Sequence, residues 1–340
     1  EYVLPHVSDD ANQLATIVYT SGTTGKPKGV MLTHENILSN VKALLSRIAI
    51  YPTDDVLSFL PLSHMFERTV GYYVPMMQGV KTTYSRSVQL LAEDLVNERP
   101  TILIAVPRIF ELIQTKITSQ LQTRKPWQQK LFALAVETGW QRFEWQQGRS
   151  GWRPAFLFWP LFDALIAKPV RARFGGRLRF AASGGAALSP NIAKTFIALG
   201  LPILQGYGMT ECSPVLAFNA PEDNLPSSVG HMLPGIESRL GTGNELQVKG
   251  PNIMQGYWNH AQATRDIFTK DGWLRTGDVV RIDASGHVTI TGRSKDIIVL
   301  SNGEKVPPSD MEMSIMRDAL FDQVMIIGEG KAFLSMLGVL

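Results

Sequence analysis

Apolar positions at the front of the chain fall into short, dense runs separated by wider amphipathic stripes. Leu14-Ala-Thr-Ile-Val-Tyr19 predicts a buried strand, because β-branched and aromatic residues crowd a run too short for a helix. A polar stretch, Thr20–Gly29, follows, and Val30–Leu32 predicts a second short strand. Thr33 is placed to cap the next helix, whose stripe Ile37, Leu38, Val41, Leu44, Leu45 and Ile48 keeps helical spacing. Strand-like runs recur at Val56–Leu60, Thr101–Val106, Leu178–Ala182 and Pro202–Leu204, with helical segments between them. Ser189-Pro190 supplies a cap and a first-turn proline for the stripe Ile192, Ala193, Phe196 and Ile197. Strands alternating with helices predict an α/β fold of mostly parallel sheets with flanking helices.

The texture changes after about Ser228. Short strands at Glu245–Lys249, Val279–Ile282 and Val288–Thr291, joined by turns such as Asp283-Ala-Ser-Gly286, predict a small antiparallel or barrel-like subdomain. Beyond Arg293 come a strand (Ile297–Leu300), a glycine turn, a Ser309-x-x-Glu312 capping box, a helix and a closing strand pair near Gly328–Gly330. That order is α+β. No internal repeat or low-complexity tract appears.

Composition narrows the functional classes. With 33 Lys and Arg against 30 Asp and Glu, the net charge is +3 over 340 residues, which argues against a nucleic-acid partner. Cys212 is the only cysteine, so no disulfide can form within the chain and a reducing, cytoplasmic setting is expected. The six histidines lack metal-ligand spacing, so no histidine-bound metal is expected. The chain opens at Glu1 without a methionine and closes on the apolar run Ala332–Leu340; both ends read as cut points in a longer protein. The most membrane-like stretch, Pro154–Val170, is interrupted by Pro160, Asp163 and Lys168 and is too short to span a bilayer. A buried amphipathic helix is the first expectation for it, and a peripheral contact at the inner membrane face is the second.

One string carries more chemistry than any other. In Tyr19-Thr-Ser-Gly-Thr-Thr-Gly-Lys-Pro-Lys-Gly29, Gly22 and Gly25 let backbone N–H groups approach phosphate oxygens. Thr20, Ser21, Thr23 and Thr24 add hydroxyl donors, and Lys26 and Lys28 add positive charge. A P-loop NTPase is excluded: two residues, not four, separate Gly22 from the Gly25-Lys26 pair, and Pro27 follows Lys26. The whole string resembles the signature of the acyl-adenylate-forming superfamily, which includes acyl-CoA synthetases, peptide-synthetase adenylation domains and luciferases.

The resemblance runs from about Leu14 to the end of the chain, motif after motif in family order. It implies that in Gln205-Gly206-Tyr207-Gly208-Met-Thr210-Glu211 the Tyr207 ring stacks on adenine, Thr210 contacts the α-phosphate, and Glu211 helps hold Mg²⁺. It also implies that Gly184 and Gly185, in Ser183-Gly-Gly-Ala-Ala-Leu188, line the adenine and acyl pocket. Asp278, in Trp273-Leu-Arg-Thr-Gly-Asp278, would clamp the ribose hydroxyls, which suits a carboxylate with two oxygens facing a vicinal diol. Gly292-Arg293-Ser-Lys295-Asp296 resembles a domain junction in which Arg293 reaches the nucleotide and Lys295 is the hinge. Gly303 would line the coenzyme A channel, and His64, in Leu60-Pro-Leu-Ser-His-Met-Phe-Glu67, would lie near the substrate carboxylate, the alternative being a satisfied core histidine. The implied organisation is a large domain over 1–294, its β-rich part at about 229–294, and a smaller α+β domain beginning at 295.

Phe59–Arg68, Val106-Pro-Arg-Ile-Phe-Glu111 and the aromatic-rich insert at about Thr118–Arg173 resemble the long-chain fatty acyl-CoA synthetase branch. The implied substrates are ATP, a fatty acid in an apolar tunnel, and coenzyme A, with Mg²⁺ as cofactor. Lys26, Lys28, Thr210 and Glu211 are the expected stabilisers of charge in acyl-AMP formation. The family's adenylation lysine falls beyond Leu340, so residues 1–340 alone are expected to adenylate poorly. Two alternatives stand beside this reading: an acyl-AMP ligase that delivers to a carrier protein, and a non-catalytic nucleotide- or lipid-binding module. Acyl length and oligomeric state are not legible.

Overall fold

A computed structural model of the chain describes residues 10–20, 27–294, 296, 298–306, 308–315, 320–321 and 323–339. Its backbone divides into two units, one formed by residues 1–236 with 250–264, the other by 237–249 with 265–340. By contact, the late antiparallel strands group with the C-terminal segment.

Strands of the first unit are β1 (Leu14–Thr20), β2 (Lys28–Thr33), β3 (Asp55–Ser58), β4 (Lys81–Tyr84), β5 (Ile102–Ala105), β6 (Phe180–Ser183), β7 (Ile203–Gly208), β8 (Val215–Phe218) and β9 (His231–Met232). The second unit supplies β10 (Glu237–Leu240) and β11 (Glu245–Lys249), after which β12 (Gly256–Tyr257) returns to the first. The rest of the second unit is β13 (Leu274–Ile282), β14 (Val288–Arg293), β15 (Ile298–Val299), β16 (Lys305–Val306), helix Pro308–Ile315, β17 (Gln323–Ile327) and β18 (Ser335–Val339).

The central sheet of the first unit has the order β4-β3-β5-β6-β7-β8-β9. From β4 to β7 the pairing is parallel, and β8 and β9 then add antiparallel. All four residues of β5 and of β6 are buried, as expected of parallel strands covered on both faces. On one face Leu57, Leu103, Ala181 and Ile203 pack with Phe110 and Phe196, carried by helices Pro107–Gln122 and Pro190–Ala198. Ser189 does precede that second helix, but its hydroxyl makes no cap bond; Pro190 alone marks the start.

Alternation along the strands sends Val56, Ile102, Ile104 and Phe180 to the opposite face. There they meet helix α1 (His34–Arg47) and a π-helix, Glu67–Tyr73, around an apolar cavity of about 30 Å³. The cap expected at Thr33 forms: its Oγ1 accepts from Asn36 N at 3.0 Å, and Asn36 Oδ1 accepts from Thr33 N at 2.9 Å. Asn40, on the buried stripe of α1, bonds both main-chain groups of Val215, at 2.6 and 3.1 Å, as a neighbouring strand would. Thus α1 fixes β8 and the turn that leads into it.

The insert contains helix Pro126–Gln146 and four successive helical pieces, Pro154–Phe158, Trp159–Phe162, Asp163–Ala167 and Lys168–Ala172. Phe156, Phe162 and Ala167 are buried, so burial holds for one face of Pro154–Val170. The opposite face is exposed and apolar. No helix among the described residues is long and apolar enough to cross a membrane.

In the second unit β10-β11-β13-β14 form an antiparallel sheet that runs as an open row, so the antiparallel form of the expectation stands. The predicted box at Ser309 and Glu312 does not begin a helix, because the helix already starts at Pro308. Glu312 instead accepts the Ile326 N–H at 2.7 Å and ties this helix to the β17–β18 hairpin.

Candidate nucleotide site

The polar glycine loop leaves β1 and enters β2. Thr20 and Lys28 are register partners at the mouth of that hairpin. Ser21, Gly22, Thr23, Thr24, Gly25 and Lys26 lie outside the described residues. A Cβ at Gly29 would sit 2.7 Å from the Ile17 side chain across the hairpin, and Trp258 lies against the same position at 3.4 Å. That approach is completed by Trp258 N donating to Gly29 O at 2.8 Å and by β12 pairing with β2.

Three side chains converge there. The Lys28 ammonium lies 5.2 Å from the centroid of the Tyr257 ring. The Tyr257 hydroxyl donates to Glu211 Oε1 at 2.7 Å, and both residues are buried, at 6% and 8% exposure. Burial first, and then the charge of Glu211, raise the phenol above its ordinary value, so Tyr257 remains a donor at neutral pH.

The turn bearing Glu211 is held from three sides. Met254 N donates to Glu211 O at 2.9 Å, Asn252 Nδ2 to Cys212 O at 2.8 Å, and Thr69 Oγ1 to Ser213 O at 3.0 Å. At Gly208 a Cβ would fall on the Pro214 carbonyl oxygen, because the chain reverses there from β7 into β8. Tyr207 and Thr210 are half-buried on either side of this bend. Among the described residues no donor takes Glu211 Oε2. A hard carboxylate oxygen is a donor that fits Mg²⁺.

Other expected residues have definite places. At Gly184 a Cβ would lie 2.9 Å from the Phe66 ring, and Gly185 has φ +84°, so both backbone positions require glycine. Gln205 is bonded within the protein: its Oε1 accepts from Leu188 N at 3.3 Å and its Nε2 donates to Pro226 O at 2.6 Å, which braces the Gly184 turn. Gly206 backs onto the Phe218 ring. His64 is exposed, which overturns the core-histidine alternative.

In the second unit Asp278 is 7% exposed on β13, with Arg293 Nε donating to its Oδ1 at 3.1 Å across the β13–β14 pair. Gly303 occupies a turn at φ +82°. Lys295, the expected hinge, lies outside the described residues.

Two residues that sequence reasoning missed are Tyr257 and Glu67. Tyr257 comes from a two-residue strand that pairs with β2 from far along the chain, and no local periodicity marks such a strand. Glu67 stood in view beside His64. It is fully buried at the start of the π-helix, with Ser58 Oγ donating to its Oε1 at 2.5 Å and no partner on Oε2. Burial raises its carboxyl to about 7.

Comparison with known proteins accounts for this assembly. The AMP-binding enzyme family matches residues 3–258, and the AMP-binding enzyme C-terminal domain matches residues 295–339. The chain belongs to the AMP-binding enzyme family. A relative, the long-chain-fatty-acid–CoA ligase FadD15 of Mycobacterium bovis, is 34% identical over 331 residues, which cover 95% of this chain and 54% of that protein. The chloroplastic long-chain-fatty-acid–[acyl-carrier-protein] ligase AEE15 of Arabidopsis thaliana is 30% identical, over 95% of this chain and 50% of its own length. The chain therefore spans about half the length of these curated relatives. Among solved AMP-binding enzymes, ATP-bound MatB from Rhodopseudomonas palustris superposes with TM-score 0.73 at 26% identity, covering 99% of this chain and 59% of MatB. The mixed α/β architecture expected from the sequence is thus the family's fold.

Proposed function

We propose that the protein to which this chain belongs activates a long-chain fatty acid with ATP and transfers the acyl group to coenzyme A. The observation that carries the reading is the contact of Lys28, Tyr257 and Glu211, which joins the exit of the glycine loop to the carboxylate of the Tyr207–Glu211 motif. A fatty carboxylate and ATP repel each other, so the reaction needs positive charge and alignment at the α-phosphate. The carboxylate oxygen attacks the α-phosphorus, the bond to the bridging oxygen breaks, and pyrophosphate leaves. The coenzyme A thiol then attacks the acyl carbon, releasing AMP and a proton, and forms the thioester.

In this reading Lys28 and the Thr20–Lys26 loop hold the phosphates, Thr210 orients the α-phosphate, and Tyr207 offers its ring to the base. Tyr257 holds the Glu211 carboxyl in place through its hydrogen bond. Mg²⁺ held by Glu211 would neutralise phosphate charge. Asp278 and Arg293 are the proposed ribose and phosphate contacts, and Lys295 the proposed hinge between the two half-reactions. The carrier-protein ligase among the relatives supports a second reading, in which the acceptor is an acyl carrier protein.

AMP and pyrophosphate release by the intact protein, assayed over a series of fatty-acid lengths with either acceptor, tests both. Release that requires long-chain acid and free coenzyme A is expected. Release with carrier protein alone selects the second reading. Full activity after Glu211→Gln overturns both, since a charge stabiliser of this kind is worth roughly a hundredfold in rate.

A further inference from the structure

We propose that Thr69 is a positioning residue for Glu211, acting through the main chain of Ser213. This role presupposes the reading above, in which Glu211 serves acyl-AMP formation. Ser213 lies two residues beyond Glu211. Its φ of +67° falls in the left-handed region, which a residue other than glycine keeps only under restraint from outside. Ser213 and Thr69 are both fully buried, and the Thr69 hydroxyl donates to Ser213 O at 3.0 Å. That bond supplies the restraint. Relaxation of Ser213 toward an ordinary φ would carry Glu211 with it, because a single helical turn, Thr210–Cys212, joins the two.

The helix that carries Thr69 gives the contact its reach. Val74 N donates to Thr69 O, the five-residue spacing of a π-helix. Glu67 and Thr69 are both buried on this helix. Ser58 Oγ on β3 holds Glu67 at 2.5 Å, so the helix is pinned to the sheet at one residue and to the Glu211 turn at the other. Its start is also tied to the segment that bears His64: Arg68 N donates to His64 O at 3.0 Å, and the Phe66 ring packs at Gly184. One element therefore spans the segment expected beside the fatty carboxylate and the turn that bears Glu211. Met254 and Asn252 hold the same turn from the segment leading to β12. Thr69 reaches it from the side of the acid. Attack of the carboxylate on the α-phosphorus depends on the two sides keeping a fixed separation.

Pyrophosphate release by the intact protein, with ATP and a long-chain acid, reads the effect. Thr69→Val keeps the shape and removes the donor. Its kcat should fall between about tenfold and a hundredfold, with KM for the acid held within about twofold. Thr69→Ser returns the hydroxyl and should return the rate. In a Glu211→Gln background, Thr69→Val should cost nothing further, because its effect passes through Glu211. In protein free of nucleotide and metal, amide hydrogen exchange over 209–215 should be faster in Thr69→Val than in wild type, and slow again in Thr69→Ser. If Thr69→Val fails to fold, Thr69→Cys keeps a weak donor and should show the same dependence on Glu211. Unchanged kcat, unchanged exchange, or an equal loss with and without Glu211 overturns the proposal and leaves Thr69 a structural contact. A silent Glu211→Gln variant overturns the parent reading, and this role falls with it.

Discussion

Glu67→Gln isolates a single buried carboxyl whose ionisation is opposed by the fold. Glu67 has no exposed surface, takes one hydrogen bond from Ser58, and leaves Oε2 without a donor. Its neighbour one turn on is Gly71, where a Cβ would strike the carboxyl oxygen. Burial lifts the carboxyl from 4.5 to about 7, so the folded protein binds this proton more tightly than the unfolded chain does. The sign follows from linkage: the stabilisation is fully present below the unfolded value and is lost as pH rises through about 7. Each pH unit of difference is about 1.4 kcal/mol, so this group should remove roughly 2 to 3 kcal/mol of stability between about pH 5 and pH 8.5. Glutamine keeps the acceptor for Ser58 and cannot ionise. Urea unfolding of wild type and Glu67→Gln across that range should therefore give a stability difference that shifts in favour of the variant as pH rises. Parallel curves would show that Glu67 is ionised in the fold and that its surroundings have been misjudged.

Three further perturbations follow from the same geometry. Tyr257→Phe removes a hydrogen bond to a buried carboxylate and should cost about 1.5–3 kcal/mol by denaturant unfolding, with a parallel loss of acyl-AMP formation in the intact protein; a silent variant would dissociate Tyr257 from Glu211. Gly208→Ala forces a methyl onto the Pro214 carbonyl and should lower stability by at least about 2 kcal/mol, seen as a lower Tm; an unchanged Tm would mean that the bend can relax. Arg293→Ala should cost less than about 1 kcal/mol, because the guanidinium is 64% exposed although Asp278 is buried; a larger loss in unfolding experiments would make the pair structural.

How far the sequence reveals this molecule depends on how local each signal is. The cap at Thr33, the stripe of α1 and the short parallel strands all rest on neighbours within a few residues, and they form where expected. Glu211 was legible because a motif surrounds it. Tyr257, its hydrogen-bond partner, was not, because what places it is a pairing with β2 across more than two hundred residues. His64 stood out because its segment resembles one with a residue near the substrate carboxylate, yet it is exposed, while Glu67 is enclosed. A π-helix turns at a different pitch from an α-helix, so burial at Glu67, Thr69 and Gly71 does not follow the stripe that a 3.6-residue period would draw. The outward apolar face of the insert was hidden for another reason: composition records how many leucines a segment holds, not which side of it they occupy.

The change of direction in the central sheet constrains how this fold can vary. Because β8 runs against β7, the short connection Met209–Pro214 fixes which side of the sheet each residue of β8 faces. Adding or removing one residue there would exchange alternate side chains, moving Phe218 off Gly206 and Val215 off the amide of Asn40. Substitutions in that connection can be accommodated one at a time, whereas a change in its length would be felt along the whole edge of the sheet.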